Sequence, residues 1–348
     1  PHIPNNIGRP DVGTTNLRRI GALGANSTCV AQTGTISIAN QTAVPSFRSC
    51  ALVTPATLSP ADKAPVLPAG GFSDVEAALF GLTTQGYGAE ADANVGQVFG
   101  VATSVSLYRA LQAAQGISIA NDADFLPQNA PNITRTQYAS IASGAGKANV
   151  LIPGSSAKLN LARRAPTSGT QGSSNAHFLR NPCNGAPETG GVLTPIGIAD
   201  SDGTSIVVTE GSGTSNAISA LSTNEYAIGV LSLENNWRPA TAGGAAAGYR
   251  YIKLDGVHPE APIPGATGAD ANFDSKARYT AAQGLYDYQI ELKSFVADSA
   301  AGTFGETVIG NIVSAFAGLD CSAVPRGLTL TTFSGSAFTY GQVVSKAT

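Results

Sequence analysis

Charged residues are scarce in this sequence. Of 348 residues only 12% are Asp, Glu, Lys or Arg, and 20 basic against 23 acidic side chains give a formal net charge of -3. The basic residues form no run. Because binding to nucleic acid or to an anionic membrane surface depends on clustered Lys and Arg, the sequence argues against both kinds of partner. Lys and Glu are also too few to supply the flanking positions of a coiled coil.

A long hydrophobic run and methionine are both missing. The longest weakly charged apolar stretch, residues 307–319, is too short to span a bilayer, so we expect no transmembrane helix. The absence of Met and the richness in Gly, Ser, Thr, Ala and Asn are typical of an exported chain whose signal peptide has been removed. We therefore expect a secreted protein, periplasmic or at the cell surface.

Cysteine and histidine are few. The four cysteines match no zinc or haem spacing, and an even number in an exported chain favours two disulfides among Cys29, Cys50, Cys183 and Cys321. We prefer Cys29 with Cys50 and Cys183 with Cys321, because the local bond would staple a loop-rich start, but the other two pairings stay open. The three histidines are scattered, so we predict no metal site.

Familiar catalytic motifs are absent as well. The sequence contains no Gly-x-Ser-x-Gly elbow, no Walker sequence and no His-Glu-x-x-His helix. Asp74, Glu76, Glu210 and Asp287 are candidate acids and bases, but nothing in their spacing pairs them, and solvated or capping carboxylates are commoner. We expect no enzymatic activity.

What the sequence does contain is a mixed α/β pattern after an irregular start. Residues 1–69, rich in Pro, Asn, Thr and Gly, are predicted to form an extended, irregular arm. From Gly70 onward, short strand candidates, residues 149–152 among them, alternate with polar loops and helices. Ser73, with Glu76 three residues later, predicts a capping box that opens a helix. Residues 328–333 and 337–344 predict a C-terminal β-hairpin.

The sharpest chemical feature lies at residues 164–170. A strand that ends near Arg164 continues through Ser168-Gly169-Thr170 into a helix. Hydroxyls and backbone N–H groups at the positive end of a helix dipole suit a tetrahedral oxyanion, and Arg164 can add a forked contact. A plain capped helix is the alternative, because Ser and Thr are the commonest caps. Residues 73–74 and 211–214 predict similar helix starts.

These segments resemble the phosphate-binding, PstS-like branch of the type 2 periplasmic binding proteins. The resembling pieces, in the family's order, are Gly-Phe-Ser-Asp-Val at 71–75, Val-Phe-Gly-Val-Ala at 98–102, Ile-Thr-Arg-Thr-Gln at 133–137, Ile-Ala-Ser-Gly at 141–144, Arg-x-x-x-Ser-Gly-Thr at 164–170, Tyr-Ala-Ile-Gly-Val-Leu-Ser at 226–232 and Ile-Lys-Leu-Asp-Gly-Val at 252–257. The resemblance implies a two-lobed α/β fold, with an oxyanion cleft between lobes that the chain links twice, near residues 98–103 and 227–232. The lobes would be residues 70–98 with 233–348, and residues 99–232.

The resemblance also implies which residues bind the ligand. Asp74 matches the family's cleft aspartate, and Arg164, Ser168, Gly169 and Thr170 match the anion loop of the second lobe. A secreted, non-enzymatic protein that binds phosphate or a similar oxyanion, without a cofactor, is the function implied.

Two departures from the family pattern motivate a second hypothesis. Pro166 stands where the family has an acidic residue, and residues 1–69 contain no equivalent of its first strand and phosphate loop. A lobe that lacks a strand exposes an unpaired sheet edge, which a segment of a neighbouring copy could fill. Repeated head to tail, this exchange would build an extracellular filament with a degenerate anion site. The arm 1–69 or the C-terminal hairpin would be the docking element.

Overall fold

A computed structural model describes residues 69–117, 125–181, 206–239, 244–261, 279–282, 284–317, 324 and 326–330, together with the backbone of four strands between residues 27 and 52. Its strands are β1 (Ser27–Thr33), β2 (Ile36–Ile38), β3 (Gln41–Ala43), β4 (Ser46–Leu52), β5 (Gly70–Ser73), β6 (Gly88–Ser104), β7 (Asn132–Ile133), β8 (Leu159–Arg164), β9 (Ile206–Gly211), β10 (Ala227–Ser232), β11 (Tyr249–Tyr251), β12 (Lys253–Leu254), β13 (Gln289–Ala297) and β14 (Leu328–Leu330). Its helices are α1 (Val105–Ala114), α2 (Arg135–Ala142), α3 (Ala148–Leu151), α4 (Gly169–Leu179), α5 (Thr214–Thr223), α6 (Tyr279–Ala282) and α7 (Phe304–Ala317).

One mixed sheet organises these elements. Its order is β5-β13-β6-β10-β8-β9, and β11 and β14 are further partners of β6. The 17-residue strand β6 pairs with β13 and β14 up to Val98, and from Phe99 onward with β10 and β11. The two halves of the sheet therefore meet along one long strand. The predicted mixed α/β class is confirmed, whereas the lobe boundaries stay a prediction.

The core lies around the second half of β6. Every residue of β8 and of β10 is buried, which requires cover on both faces of the sheet. Phe99 of β6, Leu161 of β8 and Ile228 of β10 belong to one apolar cluster with residues of α1 and α5. Ser104 caps α1, because its side chain accepts a hydrogen bond from the Leu107 N–H at 3.3 Å. β10 has the mostly apolar sequence that is typical of a buried strand, whereas β8 also buries Asn160, Arg163 and Arg164.

The helix predicted to open at Ser73 is wrong. Residues Gly70–Ser73 form β5, which pairs antiparallel with β13, and only a 3₁₀ turn follows at Ala77–Phe80. The Ser73 hydroxyl accepts from the Val75 N–H at 3.2 Å, and the Ala77 N–H donates to the Glu90 carboxylate at 2.9 Å. Since these groups are engaged elsewhere, no capping box forms, and pairing with β13 overrides the local helix signal.

The strand predicted at residues 149–152 is also wrong. Ala148–Leu151 forms the helical turn α3, and the Ile152 N–H donates to the Ala148 carbonyl at 2.9 Å. A short apolar run suits either state, so its periodicity alone could not decide.

The N-terminal arm is more regular than predicted. Within it β1 pairs antiparallel with β4, and β2 with β3. Cys29 and Cys50 are direct register partners in the first pair. Cys183 and Cys321 lie outside the described residues, so the preferred disulfide pairing stays a prediction.

The first strand of the predicted C-terminal hairpin is present as β14, antiparallel to β6. The second, at residues 337–344, lies outside the described part of the chain. No helix in that part is both long and apolar enough to cross a bilayer.

Candidate functional site

The site begins where two parallel strands end. β8 and β9 run side by side, and Arg164 at the end of β8 is the register partner of Gly211 at the end of β9. α4 follows β8 and α5 follows β9. Because the carboxyl ends of parallel strands meet at one sheet edge, the two helix starts and Arg164 lie together, at the edge where such sheets place ligands.

The first turn of α4 carries polar groups with little access to solvent. Ser168, the N-cap residue, is 4% exposed and makes no side-chain capping bond. Its hydroxyl has no hydrogen-bond partner among the described residues. Gly169 and Thr170, the first two residues of this 11-residue helix, are buried too. Since an unsatisfied buried hydroxyl is costly and uncommon, the start of α4 is suited to a ligand that accepts its hydrogen bond.

Arg164 supplies a buried positive charge at this edge. Its Nη1 donates to the Thr214 hydroxyl at 2.7 Å and its Nη2 to the Ser212 carbonyl at 3.0 Å. Burial lowers the pKa of this guanidinium, and the negative charges of Asp74 and Glu234 oppose that shift. The loop before α5 therefore holds the guanidinium in place.

Asp74 comes from the other half of the sheet, one residue after β5. Its side chain lies directly against Gly169: a Cβ added to Gly169 would come within 2.5 Å of the Asp74 Oδ2 atom. Burial raises the pKa of the Asp74 carboxyl, and the nearby Arg164 guanidinium acts in the opposite direction. The half-buried Asp74 and the buried Gly169 and Arg164 thus form one cluster of charge and backbone.

The five site residues predicted from the sequence are brought to this one place: Asp74, Arg164, Ser168, Gly169 and Thr170. Whether they bind a ligand remains a proposal.

Sequence reasoning missed the residues that support Arg164. From the sequence, residues 211–214 were predicted only to form a helix start. In the structure, Ser212 and Thr214 accept hydrogen bonds from the Arg164 guanidinium. Glu234, two residues after β10, was missed as a charge that acts on Arg164. The strand–loop–helix pattern that is repeated after β9 could have revealed the supporting loop, because adjacent parallel strands place equivalent loops side by side.

The other candidate carboxylates serve structure. Glu210 accepts a hydrogen bond from Arg163 Nε at 2.9 Å, and Asp287 forms an ion pair with Arg135.

His258 is buried, with its Nδ1 accepting from the Glu260 N–H at 3.0 Å, and desolvation by burial lowers its pKa to about 4.

His177 lies at the far end of α4 and stacks on Tyr288 at 4.2 Å between ring centres. Its pKa is lowered to about 4, mainly by burial. Neither histidine is among the groups that act on Asp74 or Arg164. Among the described residues, no group of three or more His, Cys, Asp or Glu side chains is arranged to hold a metal ion.

No family model matches the sequence, and no curated protein matches it. Several solved structures match 65% to 71% of the chain at TM-scores of 0.34 to 0.38. A substrate-binding protein of Clostridium perfringens, assigned to phosphate ABC transport and solved with bound phosphate, is 14% identical over 71% of this chain and 77% of its own, with a TM-score of 0.38. An ABC-type phosphate transport receptor from Vibrio cholerae is 13% identical over 70% and 77%, with a TM-score of 0.37.

PstS from Borrelia burgdorferi is 16% identical over 70% of this chain and 72% of its own, with a TM-score of 0.36.

Proposed function

We propose that this protein binds phosphate or a similar oxyanion at the start of α4. The observation that carries the proposal is the Ser168 hydroxyl, which is buried, lacks a partner among the described residues and stands at a helix N-terminus. The positive end of the helix dipole favours an anion, and the first backbone N–H groups of the helix point outward to meet it.

Charge supports the same ligand class. Arg164 is 3% exposed, and it donates hydrogen bonds to the Ser212 carbonyl and the Thr214 hydroxyl among other contacts. A guanidinium fixed in this way is oriented before the ligand arrives, which reduces the entropy lost on binding. An oxyanion beside it would gain a charge-assisted contact in a site with little water.

The proposed role is binding without catalysis. The described groups that act on Asp74 and Arg164 are each other and Glu234, and they include neither an imidazole nor a thiol. No cofactor is part of the proposal.

Titration calorimetry with phosphate, arsenate and sulfate tests the proposed function. We expect one saturable site in the native protein and its loss in Arg164→Ala. Arg180→Ala is the matched control, since Arg180 is exposed at the opposite end of α4. The absence of binding of all three anions to the native protein would refute the proposal.

We also propose an oxidising location, secreted into the periplasm or outside the cell, and a disulfide between Cys29 and Cys50. The direct register of these residues in β1 and β4 supports this bond, because cross-strand partners lie within the distance that a disulfide spans. Mass spectrometry after alkylation, with and without reduction, tests it. Alkylation of both thiols in unreduced protein would contradict it.

The exposed surface favours one second candidate, a subunit that associates with copies of itself in a filament. Phe304, Val308 and Ile312 lie on one face of α7 at a spacing of four residues and are 82%, 37% and 38% exposed. The opposite face packs inward through Ile309, which is 7% exposed. An apolar stripe on an exposed helix suits a protein contact.

Electron microscopy of the native protein tests this candidate. We expect filaments or oligomers that disappear in Phe304→Asp and persist in Thr307→Asp, a control on the exposed polar side of the same helix. Deletion of residues 1–69 separately tests exchange of the arm and should leave a folded monomer. Discrete single-chain particles of native protein would refute the candidate.

A further inference from the structure

Among the described residues, Asp74 places its carboxylate against the start of α4. The atoms nearest to a Cβ built on Gly169 are its Oδ2 at 2.5 Å, its Cβ at 2.6 Å and its Cγ at 2.8 Å. The whole side chain therefore lies over the first residue of the helix. Asp74 thus stands where the field of α4 and the charge of Arg164 both favour an anion.

Asp74 does not use the donors at this position. Among the described residues its carboxylate accepts no hydrogen bond, and the Ser168 hydroxyl stays without a partner. The carboxylate thus adds negative charge to the site but leaves the Ser168 hydroxyl without a hydrogen-bond acceptor. A ligand that reaches these donors must lie close to Asp74.

The charges that face Asp74 come from several elements. Arg164 at the end of β8 is the counter-ion, and Glu234, after β10, is a second carboxylate that acts on the same guanidinium. Glu76 lies on the loop of Asp74 itself. At this end α4 contributes its dipole but not the side chain of His177, which lies at the other end of the helix and stacks on Tyr288. The half-buried Asp74 and the exposed Glu234 therefore both act on one buried guanidinium.

A fully deprotonated oxyanion added to this set would place a further negative charge beside Asp74 in a poorly solvated site. Like charges at such distances disfavour each other strongly when water is excluded. Protonation of Asp74 removes this repulsion and turns the carboxyl into a hydrogen-bond donor.

We propose that oxyanion binding at α4 is coupled to protonation of Asp74, so that the site takes up one proton for each sulfate that it binds. This inference rests on the proposed function. The proton comes from solvent and resides on a carboxylate oxygen of Asp74, and no covalent bond of the ligand changes. Burial already raises the pKa of Asp74, against the opposing effect of Arg164.

Sulfate is the probe, because it carries no proton of its own between about pH 5 and pH 8. Between the pKa of Asp74 in the free protein and its higher pKa in the complex, the sulfate dissociation constant of the native protein should rise about tenfold for each pH unit, the limiting slope for one linked proton. Calorimetry in buffers of different ionisation enthalpy should show uptake of one proton per sulfate.

Asp74→Asn should bind sulfate more tightly than the native protein at the upper end of this range, with little dependence on pH. Glu76→Gln is the matched control: it removes a carboxylate of the same loop that is not among the groups acting on Asp74, and should keep the native slope.

Saturable sulfate binding with no proton uptake and a flat pH profile would overturn the coupling and leave the proposed function intact. Weaker sulfate binding by a folded Asp74→Asn protein would overturn it too, because Asp74 would then assist the anion in its charged form. A lack of phosphate and sulfate binding by both proteins at every pH would instead refute the proposed function itself.

Discussion

The start of α4 and the start of α5 look alike in sequence and differ in structure. Both follow parallel strands, β8 and β9, through loops of Ser, Gly and Thr. At the start of α5, polar groups of the chain bond to one another. Asn216 Oδ1 accepts a hydrogen bond from the Gly213 N–H at 3.0 Å, and the Thr214 hydroxyl accepts one from Arg164. At α4 the N-cap Ser168 makes no such bond.

The difference separates a supporting loop from a candidate binding site. Neither N-cap residue makes a side-chain capping bond, so the two starts differ in burial: the start of α5 is open to solvent, whereas the start of α4 keeps the Ser168 hydroxyl buried without a described partner. Arg164 links the two, because the loop before α5 fixes the guanidinium that serves the start of α4. The three predictions below test this asymmetry, from the largest expected effect to the smallest.

Arg164→Ala should abolish the difference between the two helix starts. It removes the positive charge that serves the start of α4, together with the hydrogen bonds that hold this charge on the loop before α5. Loss of a buried charged hydrogen-bonding partner costs several kcal/mol, so phosphate affinity should fall at least about 100-fold. Calorimetry measures this change, with Arg180→Ala as the control. An unchanged affinity would show that phosphate binds somewhere else.

Substitution of one glycine at each helix start should affect the two unequally. In Gly169→Ala the new Cβ would meet Asp74 Oδ2 at 2.5 Å and Asp74 Cβ at 2.6 Å, so the loop after β5 must move. We expect a loss of about 1–3 kcal/mol in the free energy of unfolding, the usual cost of overpacking.

In Gly213→Ala the nearest atom is Asn216 Oδ1 at 3.4 Å, an ordinary contact. The loss should stay below about 1 kcal/mol. Denaturant unfolding compares the two variants, and equal losses would contradict the close contact between Asp74 and Gly169.

Removal of one hydroxyl at each helix start should affect the affinity for phosphate and the free energy of unfolding differently. Thr214→Val takes an acceptor from Arg164 and should cost about 1–3 kcal/mol of folding free energy. Ser168→Ala removes a hydroxyl with no described partner, so stability should change by less than about 0.5 kcal/mol. Phosphate affinity should nevertheless fall about tenfold in Ser168→Ala, the worth of one hydrogen bond.

Unfolding and titration of both proteins check this pair. A Ser168→Ala variant that loses stability but binds phosphate normally would make Ser168 an ordinary structural cap, as at most helix starts.

The sequence was informative where chemistry is local. Residues 164–170 contain the strand end, the cap and the first turn of α4 in one stretch, so the site could be located without the fold. The contact between Asp74 and Gly169 could not be derived from local pattern, because it joins segments from the two halves of the sheet.

The role of residues 212–214 depends on β8 and β9 being neighbours, which strand sequences alone do not specify. The failed helix at Ser73 has the same cause. Its local capping signal was overridden by pairing of β5 with β13, a strand more than two hundred residues away in sequence.

The most direct test is the change in backbone amide resonances on addition of phosphate, compared between the two helix starts. If α4 is the anion site, the amides of Gly169 and Thr170 shift in a saturable way, and those of Asn216 and Ser215 inside α5 change little. Large shifts confined to α5, or none at either helix at saturating phosphate, would contradict the account.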